Sequence, residues 1–191
     1  MCPEVCPWWL YFVLDNRIRK IIHKPEQVLD GYIKPGQIVM DFGCGSGTYT
    51  IPMAKMVDEN GKVIAVDFQK KMLEILEKKS NKEGIKSRIK IHQNKPDKIG
   101  ISEKVDFALA FYVIHELPSI DNFFREMIDI AKPGGKLLVI EPKLHVRKQM
   151  FDKIVNSANN SGFVLLSEVN IRFSHAALFV FEPKNNKTGI I

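Results

Sequence analysis

The sequence predicts a doubly wound α/β domain, in which a mostly parallel sheet carries helices on both faces. Apolar strand segments alternate with amphipathic helical segments, and most of the strands are apolar on both faces, as in a buried parallel sheet. The last two strand segments, Phe163–Arg172 and Ala176–Glu182, are joined by Phe173–His175, which is too short for a parallel crossover. One strand is therefore expected to run antiparallel to the others.

The size and composition of the chain favour one domain with its own core. It has 191 residues, of which 45% are hydrophobic and 26% are charged. The apolar run Trp8–Leu14 is too short to span a bilayer and lacks the flanks of a signal peptide. With three cysteines and no disulfide framework, the chain is expected in the reducing cytoplasm. The spacing of Cys2 and Cys6 is unspecific, so no metal site is predicted.

The elements of the first third of the chain follow from apolar runs and turn residues. Pro25 suits the first turn of a short helix. Gln37–Phe42 is an apolar run that ends at a glycine-rich loop and is predicted as a strand, and Thr48–Val57 is predicted as the helix that follows. After the Asn60-Gly61 turn, Lys62–Asp67 (KVIAVD) is predicted as the second strand.

The middle of the chain continues the pattern. From Gln69 to about Glu83 apolar residues recur on one helical face, and Gly84 is placed to end that helix. Arg88–Gln93 and Val105–Phe111 are predicted as the third and fourth strands. We expect a helix to follow each of the first five strands, which gives five βα units.

The last third adds two helices and a strand to the closing hairpin. Ile120–Ala131 is predicted as a helix with Ser119 as its N-cap. Lys136–Glu141 is predicted as the fifth strand, because it is apolar and follows a Pro-Gly-Gly turn. His145–Asn160 is predicted as the helix before the hairpin.

The loop after the first strand is the strongest functional signal. Residues 39–50 read VMDFGCGSGTYT, with a G-x-G-x-G spacing that is tighter than the G-x-G-x-x-G of dinucleotide-binding domains. A carboxylate at Asp41 would repel a pyrophosphate but would accept hydrogen bonds from an ammonium group or from amides of the loop. Asp67 ends the neighbouring strand, where an acid is placed to bind ribose hydroxyls. Together these signals indicate a ligand that joins an amino acid to a nucleoside.

Four stretches, VMDFGCGSG, VIAVDF, VDFALAFYVIHEL and AKPGGKLLVIEP, are similar in order and spacing to the class I S-adenosylmethionine-dependent methyltransferases. Within that family the chain resembles the small type 11 and ubiquinone/menaquinone methyltransferase-like members. The resemblance implies a seven-stranded Rossmann-like sheet of order 3-2-1-4-5-7-6 with strand 7 antiparallel. It divides the chain into an N-terminal helical cap (1–35), a methyltransferase domain (36–183) and a polar tail (184–191).

The resemblance also implies S-adenosyl-L-methionine as the cofactor. The glycine loop would surround the methionine part, Asp67 would bind the ribose, and Phe68 would flank the adenine. Asn94 replaces an acid that many members place near the adenine amine, and its amide oxygen would still accept that hydrogen bond. The implied cofactor-binding residues are Asp41, Gly43, Cys44, Gly45, Gly47, Asp67, Phe68, Asn94, Ala110 and Phe111.

Three polar residues are candidates to bind the methyl acceptor or to take a proton from it. His115 and Glu116 follow the fourth strand, and Glu141 ends the fifth, so all are expected at the carboxyl edge of the sheet. A neutral imidazole at His115 would take a proton from the attacking atom, but a pocket-shaping role is an equal alternative. Glu141 has a helix-capping alternative. Tyr112 is a further pocket residue and, with Trp8 and Trp9, a candidate to stabilise a sulfonium, although simple packing is favoured for the tryptophans.

The substrate class is predicted from charge and from missing motifs. Residues 78–98 hold eight Lys or Arg and two acidic residues, which accounts for the whole net charge of +6. No aromatic residues interleave with these cations, so a solvated face is favoured over a nucleic-acid surface. The motifs of DNA base methyltransferases are also missing after the fourth strand. We therefore expect a small-molecule methyltransferase, with RNA methylation or cofactor binding without turnover as alternatives.

Overall fold

The computed structural model describes residues 24–182, and this part of the chain contains a single seven-stranded sheet. The strands are β1 (Ile38–Phe42), β2 (Lys62–Asp67), β3 (Ile89–Gln93), β4 (Val105–Phe111), β5 (Ala131–Pro142), β6 (Phe163–Glu168) and β7 (Ser174–Phe181). They lie in the order β3-β2-β1-β4-β5-β7-β6, with β7 antiparallel to β5 and β6 and all other neighbours parallel. The expected strand order, with its reversed seventh strand, is confirmed.

The helices of the described residues lie close to their predicted positions. They are α1 (Pro25–Leu29), α2 (Thr50–Met56), α3 (Lys70–Lys82), α4 (Ile120–Ile130) and α5 (Lys148–Ser161), with short 3-10 turns at Lys86–Arg88 and Ile114–Glu116. The Ser119 hydroxyl accepts a hydrogen bond from the amide of Asn122, 3.2 Å away, and so caps α4 as predicted. Gly84, with φ of +68°, follows the end of α3.

The sheet separates two apolar layers, because successive strand residues point to opposite faces. Val39 and Val63 pack in the layer that includes α2 and α3, whereas Met40 and Ile64 pack in the layer that includes α4 and α5. All four side chains are fully buried. The central strands are therefore apolar on both faces, as a parallel sheet covered on both sides requires.

The prediction of five βα units is wrong between β3 and β4. Residues 94–104 form turns and an isolated bridge between Lys95 and Lys98 instead of a helix. Pro96 and Gly100 interrupt this segment, and it has too few apolar residues to cover a sheet face. A loop therefore carries the chain from one edge of the sheet back to its centre.

The last part of the sheet differs from the prediction at three ends. β5 begins at Ala131 instead of Lys136, with an irregular register opposite Val105 and Phe107 around the glycines of the predicted turn. β6 ends at Glu168, four residues before the predicted end, and β7 begins at Ser174 because Ser174 pairs with Pro142.

The helix α5 begins at Lys148 and not at His145. The carbonyl of Pro142 accepts hydrogen bonds from the amides of His145 (3.1 Å) and Val146 (2.8 Å), which makes a turn before the helix. This turn holds residues 143–147 at the carboxyl edge of the sheet.

Several predictions fall outside the described residues. These include the roles of Trp8 and Trp9, the thiols of Cys2 and Cys6, and the tail 184–191. Within residues 24–182 no helix combines the length and the apolar character needed to cross a bilayer.

Candidate functional site

The candidate site lies at the carboxyl ends of β1, β2, β4 and β5. β1 and β4 are the central pair at which the strand order reverses, and doubly wound sheets bind their ligands outside this point. Val113, just beyond β4, packs so closely on the glycine loop that a Cβ on Gly43 would lie 2.6 Å from its Cγ2 atom. The chain after β4 therefore passes over the first glycine, two residues before His115.

All three glycines of the loop have a positive φ, but they differ in what a side chain would meet. A Cβ on Gly47 would lie 2.4 Å from Leu76 Cδ1, so at Gly47, as at Gly43, protein atoms occupy the space that a side chain would need. Gly45 has a φ of +52°, and a Cβ built there would meet no described atom within 4 Å. The space beside Gly45 lets a ligand approach the backbone closely, which fits the cofactor implied by the sequence.

Asp67 closes the other side of this loop. Its Oδ2 accepts the amide hydrogen of Gly45 and its Oδ1 that of Gln69, both at 2.8 Å. Burial raises the pKa of Asp67, while the two backbone hydrogen bonds oppose this shift. Each carboxylate oxygen has a second lone pair, so both can still accept a hydrogen bond from a ribose hydroxyl.

Asp41 lies behind the glycine loop. It is 2% exposed, and its Oδ2 accepts a hydrogen bond from the Thr50 hydroxyl at 2.6 Å. Burial raises the pKa of Asp41 to about 7, a shift that the Thr50 hydrogen bonds reduce and the charge of Asp67 increases. The carboxyl is therefore only partly ionised at neutral pH, and a nearby cation would favour its ionised form.

Phe68 and Asn94 lie at the predicted adenine side. The half-buried Phe68 follows Asp67, and its carbonyl accepts a hydrogen bond from the Gln93 side chain at 3.1 Å. The Asn94 amide nitrogen donates to the carbonyls of Lys95 (2.8 Å) and Lys98 (3.1 Å). Both amide protons thus stabilise the loop, and the side-chain oxygen remains the group with which Asn94 would accept an adenine amine.

An aromatic cluster forms the side of the site at the end of β4. Phe111 contacts Tyr49 and Tyr112 with ring centroids 4.5 and 4.2 Å apart, whereas Ala110 is buried in the apolar layer on the opposite face of the sheet. Tyr112 has a φ of +58°, and its hydroxyl lies 2.7 Å from the Ser174 hydroxyl. This strained backbone and hydrogen bond fix the ring of Tyr112 at the carboxyl edge.

His115 and Glu141 form a hydrogen-bonded pair. The Nδ1 atom of His115 lies 2.5 Å from Glu141 Oε2, and the other carboxylate oxygen accepts the amide hydrogen of Ile114 at 2.9 Å. Glu141 is fully buried, whereas His115 is partly exposed. With Nδ1–H donated to Glu141, Nε2 carries the lone pair, 4.0 Å from Glu116. The predicted polar trio is thus one cluster, and the arrangement is that of a base oriented by a carboxylate.

The pKa values in this cluster follow from its burial and charges. Burial lowers the pKa of His115, but the hydrogen bond and charge of Glu141, together with Glu116, raise it above its ordinary value overall. Burial raises the pKa of Glu116, against the opposing charge of His115. The imidazole is therefore a stronger base than a solvated histidine.

Cys44 is placed in the loop as predicted but is chemically shielded. It is 6% exposed, and burial together with the charges of Asp41 and Asp67 raises the pKa of its thiol well above the ordinary value. A thiol that stays protonated is a poor nucleophile and metal ligand. Within residues 24–182 no cluster of three or more His, Cys, Asp or Glu side chains is arranged to hold a metal.

Three contributors were missed by the sequence reasoning. Thr50 binds Asp41, Tyr49 packs on Phe111, and Ser174 bonds to Tyr112. The helix start after the glycine loop was a usable signal for Thr50 and Tyr49. No signal existed for Ser174, which lies 62 residues from its partner in sequence.

The basic segment 78–98 does not form an uncompensated cationic face. Acids outside the segment pair with three of its cations: Lys86 with Glu77, Arg88 with Glu59 and Lys90 with Glu103. In addition, Lys79 donates a hydrogen bond to Ser46, 3.1 Å away. These contacts favour the solvated-face interpretation.

Comparison with known proteins agrees with this geometry. Residues 33–176 match a family model described as a methyltransferase domain. A demethylmenaquinone methyltransferase from Lactobacillus johnsonii is 29% identical over 110 residues, which cover 57% of this chain and 45% of that protein. The chain thus matches less than half the length of this curated relative.

Solved structures share the fold. An S-adenosylmethionine-dependent methyltransferase from Aquifex aeolicus superposes with a TM-score of 0.81 and 26% identity, over 93% of this chain and 100% of that one. The Methanococcus jannaschii fibrillarin, a pre-rRNA processing protein, superposes with a TM-score of 0.67 at 18% identity, over 80% of this chain and 70% of that one. The second likeness, at this identity, concerns the fold alone.

Proposed function

The chain belongs to the methyltransferase domain family, and we propose that it transfers a methyl group from S-adenosyl-L-methionine to a small-molecule acceptor. The observation that carries this proposal is the open backbone at Gly45, which the Asp67 carboxylate holds at the carboxyl edge of the sheet. A loop shaped in this way is complementary to a ligand pressed against its main chain. When bound, the cofactor would supply an electrophilic sulfonium methyl.

On the cofactor side, the chain's residues would bind and orient. Asp67 would accept the ribose hydroxyls with the lone pairs left by Gly45 and Gln69, and Asn94 would accept the adenine amine. A cationic ligand in the glycine loop would favour the ionised form of Asp41. The Asp41 carboxylate, held by the Thr50 hydroxyl, would then stabilise the positive charge of the ligand. Precise positioning is the main contribution an enzyme makes to an in-line transfer.

On the acceptor side, His115 would remove a proton. Its Nε2 atom would take the proton from the attacking atom, while Glu141 holds the Nδ1 hydrogen and stabilises the imidazolium that forms. Tyr112 and Glu116 would shape the acceptor pocket. The use of a base indicates an acceptor with an acidic proton, such as a hydroxyl or carbon acid.

A small acceptor is favoured over RNA by two observations. The basic segment 78–98 is partly neutralised by acids outside it. A curated relative is named for methylation of demethylmenaquinone, which is a small molecule.

Calorimetry tests the cofactor. S-adenosyl-L-methionine and its demethylated product should bind the full chain with one-to-one stoichiometry, and Asp67→Ala should weaken both. Glu74→Ala, which changes an acid on α3 that pairs with Lys71, is the matched control and should leave both affinities unchanged. Tight binding of NAD with none of S-adenosyl-L-methionine would overturn the proposal.

Tritium-methyl transfer tests the activity. Incubation of the chain and labelled cofactor with cell extract should label a low-molecular-weight product, and His115→Ala should lower the rate of labelling about 10²- to 10⁴-fold. Label in RNA would favour RNA methylation. Cofactor binding without any labelled product would favour a sensor or a non-catalytic subunit.

A further inference from the structure

Two loops at the carboxyl edge of the sheet expose large apolar side chains. Leu144, in the turn after β5, is 90% exposed, and Phe173, just before β7, is 59% exposed. The amide of Lys143 donates a hydrogen bond to the carbonyl of Phe173 at 3.0 Å, so the two loops are adjacent. We call Lys143, Leu144, Arg147, Arg172 and Phe173 the apolar–basic rim.

The cations of this rim are uncompensated within the described chain. Lys143, Arg147 and Arg172 are exposed, and no described acid forms an ion pair with them. Neither 143–147 nor 169–173 contains an acidic residue. The adjacent Lys148 differs, because it pairs with Asp152 and Glu168. Three cations without ion pairs therefore flank the two exposed apolar side chains.

The conformation of Phe173 adds an independent observation. Its φ of +59° lies in the left-handed region, which costs a bulky residue about 1–2 kcal/mol. The hydrogen bonds from Lys143 to Phe173 and from Ser174 to Ile171 hold this turn, and the Arg172 guanidinium lies 4.8 Å from the Phe173 ring. The strain is not offset by burial of the ring in the domain core. Strained positions of this kind are concentrated at functional sites.

We propose that the apolar–basic rim docks the domain on an anionic membrane surface. Leu144 and Phe173 would enter the boundary between headgroups and acyl chains, and the three cations would lie among acidic headgroups. Isolated exposed apolar residues are common, but two on adjacent loop tips surrounded by cations match the chemistry of a lipid surface. This goes beyond the proposed function, since docking does not require methyl transfer.

The orientation that follows places the candidate site near the lipid. Glu141, the hydrogen-bond partner of His115, lies two residues before Lys143. The Tyr112 hydroxyl is hydrogen-bonded to Ser174, the neighbour of Phe173. Docking by the rim would therefore turn the carboxyl edge of the sheet toward the bilayer.

Vesicle co-sedimentation of the full chain tests the proposal. The protein should sediment with phosphatidylcholine vesicles that contain phosphatidylserine and not with phosphatidylcholine alone, and high salt should weaken the binding. The double variant L144S/F173S should lower the partition coefficient roughly 10-fold or more, from loss of buried apolar area. The double variant K143Q/R172Q should lower it about 10- to 30-fold, from loss of two surface charges.

Matched controls separate the rim from general properties of the surface. Val164→Thr removes another exposed apolar side chain, on β6 near the opposite edge of the sheet, and K78Q/K82Q removes two exposed cations from α3. Both should bind vesicles as the parent chain does. Absence of vesicle binding, or equal loss in rim and control variants, would overturn the proposal. A dimer that L144S/F173S disperses, without vesicle binding, would instead assign the rim to a second copy. None of these readouts depends on cofactor binding or methyl transfer.

Discussion

The two halves of the candidate site differ in how their buried carboxylates are paired. On the β1–β2 side, Asp41 and Asp67 accept hydrogen bonds from a hydroxyl and from backbone amides, and no described cation pairs with either. On the β4–β5 side, Glu141 is paired directly with His115. The first half would be completed by a cationic ligand, whereas the fully buried carboxylate of the second half is already paired within the protein.

This difference indicates a division of labour. A carboxylate without a cation stabilises positive charge that arrives with a ligand, and a carboxylate paired with histidine creates a base. Substitutions on one side should therefore change ligand affinity, and substitutions on the other should change the rate and its pH dependence. The predictions below test this separation.

The largest expected effect belongs to the compensated half. His115→Ala removes the base and should lower kcat for the acceptor about 10²- to 10⁴-fold. The dissociation constant of the cofactor should change less than about twofold, because His115 does not belong to the cofactor half. Initial-rate kinetics and calorimetry measure the two quantities. An equal loss in affinity and rate would break the comparison.

The next effect belongs to the uncompensated half. Asp67→Ala removes the ribose acceptor and the partner of the Gly45 and Gln69 amides, so cofactor affinity should fall roughly 10- to 100-fold. The pH dependence of kcat at saturating cofactor should be unchanged. Calorimetry measures the cofactor affinity, and a pH profile of the rate measures the pH dependence of kcat. Unaltered affinity would exclude Asp67 from the cofactor half.

Glu141→Gln sharpens the comparison through pH. In the parent chain the rate should rise with pH through the raised pKa of His115, since only the neutral imidazole accepts a proton. The variant loses the carboxylate charge, so this pKa should fall, and the rising limb should move to lower pH. A pH profile of kcat measures the shift. A limb that stays in place would mean that Glu141 only packs.

The smallest effect concerns the stability of the unliganded chain. The pKa of Asp41 is raised from 3.8 to about 7, so as pH rises this carboxyl ionises in the unfolded chain before it ionises in the folded one. The free energy of unfolding therefore falls between pH 3.8 and about 7. The shift corresponds to roughly 4 kcal/mol at most. Asp41→Asn removes this cost but leaves amide protons without partners, so a net gain of about 1 kcal/mol is expected at pH above 7.

Urea denaturation on both sides of this window measures the change. The Asp41→Asn variant should lose less stability between acidic and slightly alkaline pH than the parent chain, and it should bind the cofactor more weakly. If Asp41→Asn were less stable than the parent chain above pH 7, burial of the Asp41 carboxylate would not be a net cost to folding. Asp129→Asn, which changes an exposed acid on α4, is the control.

Much of this molecule was predictable because its signals are local. Apolar runs of strand length, Gly84 after a helix and Ser119 before one each act through the backbone of a few residues. The β3–β4 connection was mispredicted because the regular alternation was extended to a segment with Pro96 and Gly100. The predicted start of β5, end of β6 and start of β7 were wrong because cross-strand pairing decides where a strand begins and ends. Ser174, for example, pairs with Pro142 and so begins β7.

The sequence by itself determined the order of elements, the glycine loop and which polar residues end strands. Only the tertiary structure decided how these residues pair. His115 and Glu141 are 26 residues apart and Gly45 and Asp67 are 22 apart, and each pair meets because adjacent parallel strands end at one edge. The packing of Val113 and Leu76 on Gly43 and Gly47, which leaves Gly45 open, was equally undecided. Side-chain contacts depend on register and on rotamers that the whole core selects, and a linear sequence contains no direct record of either.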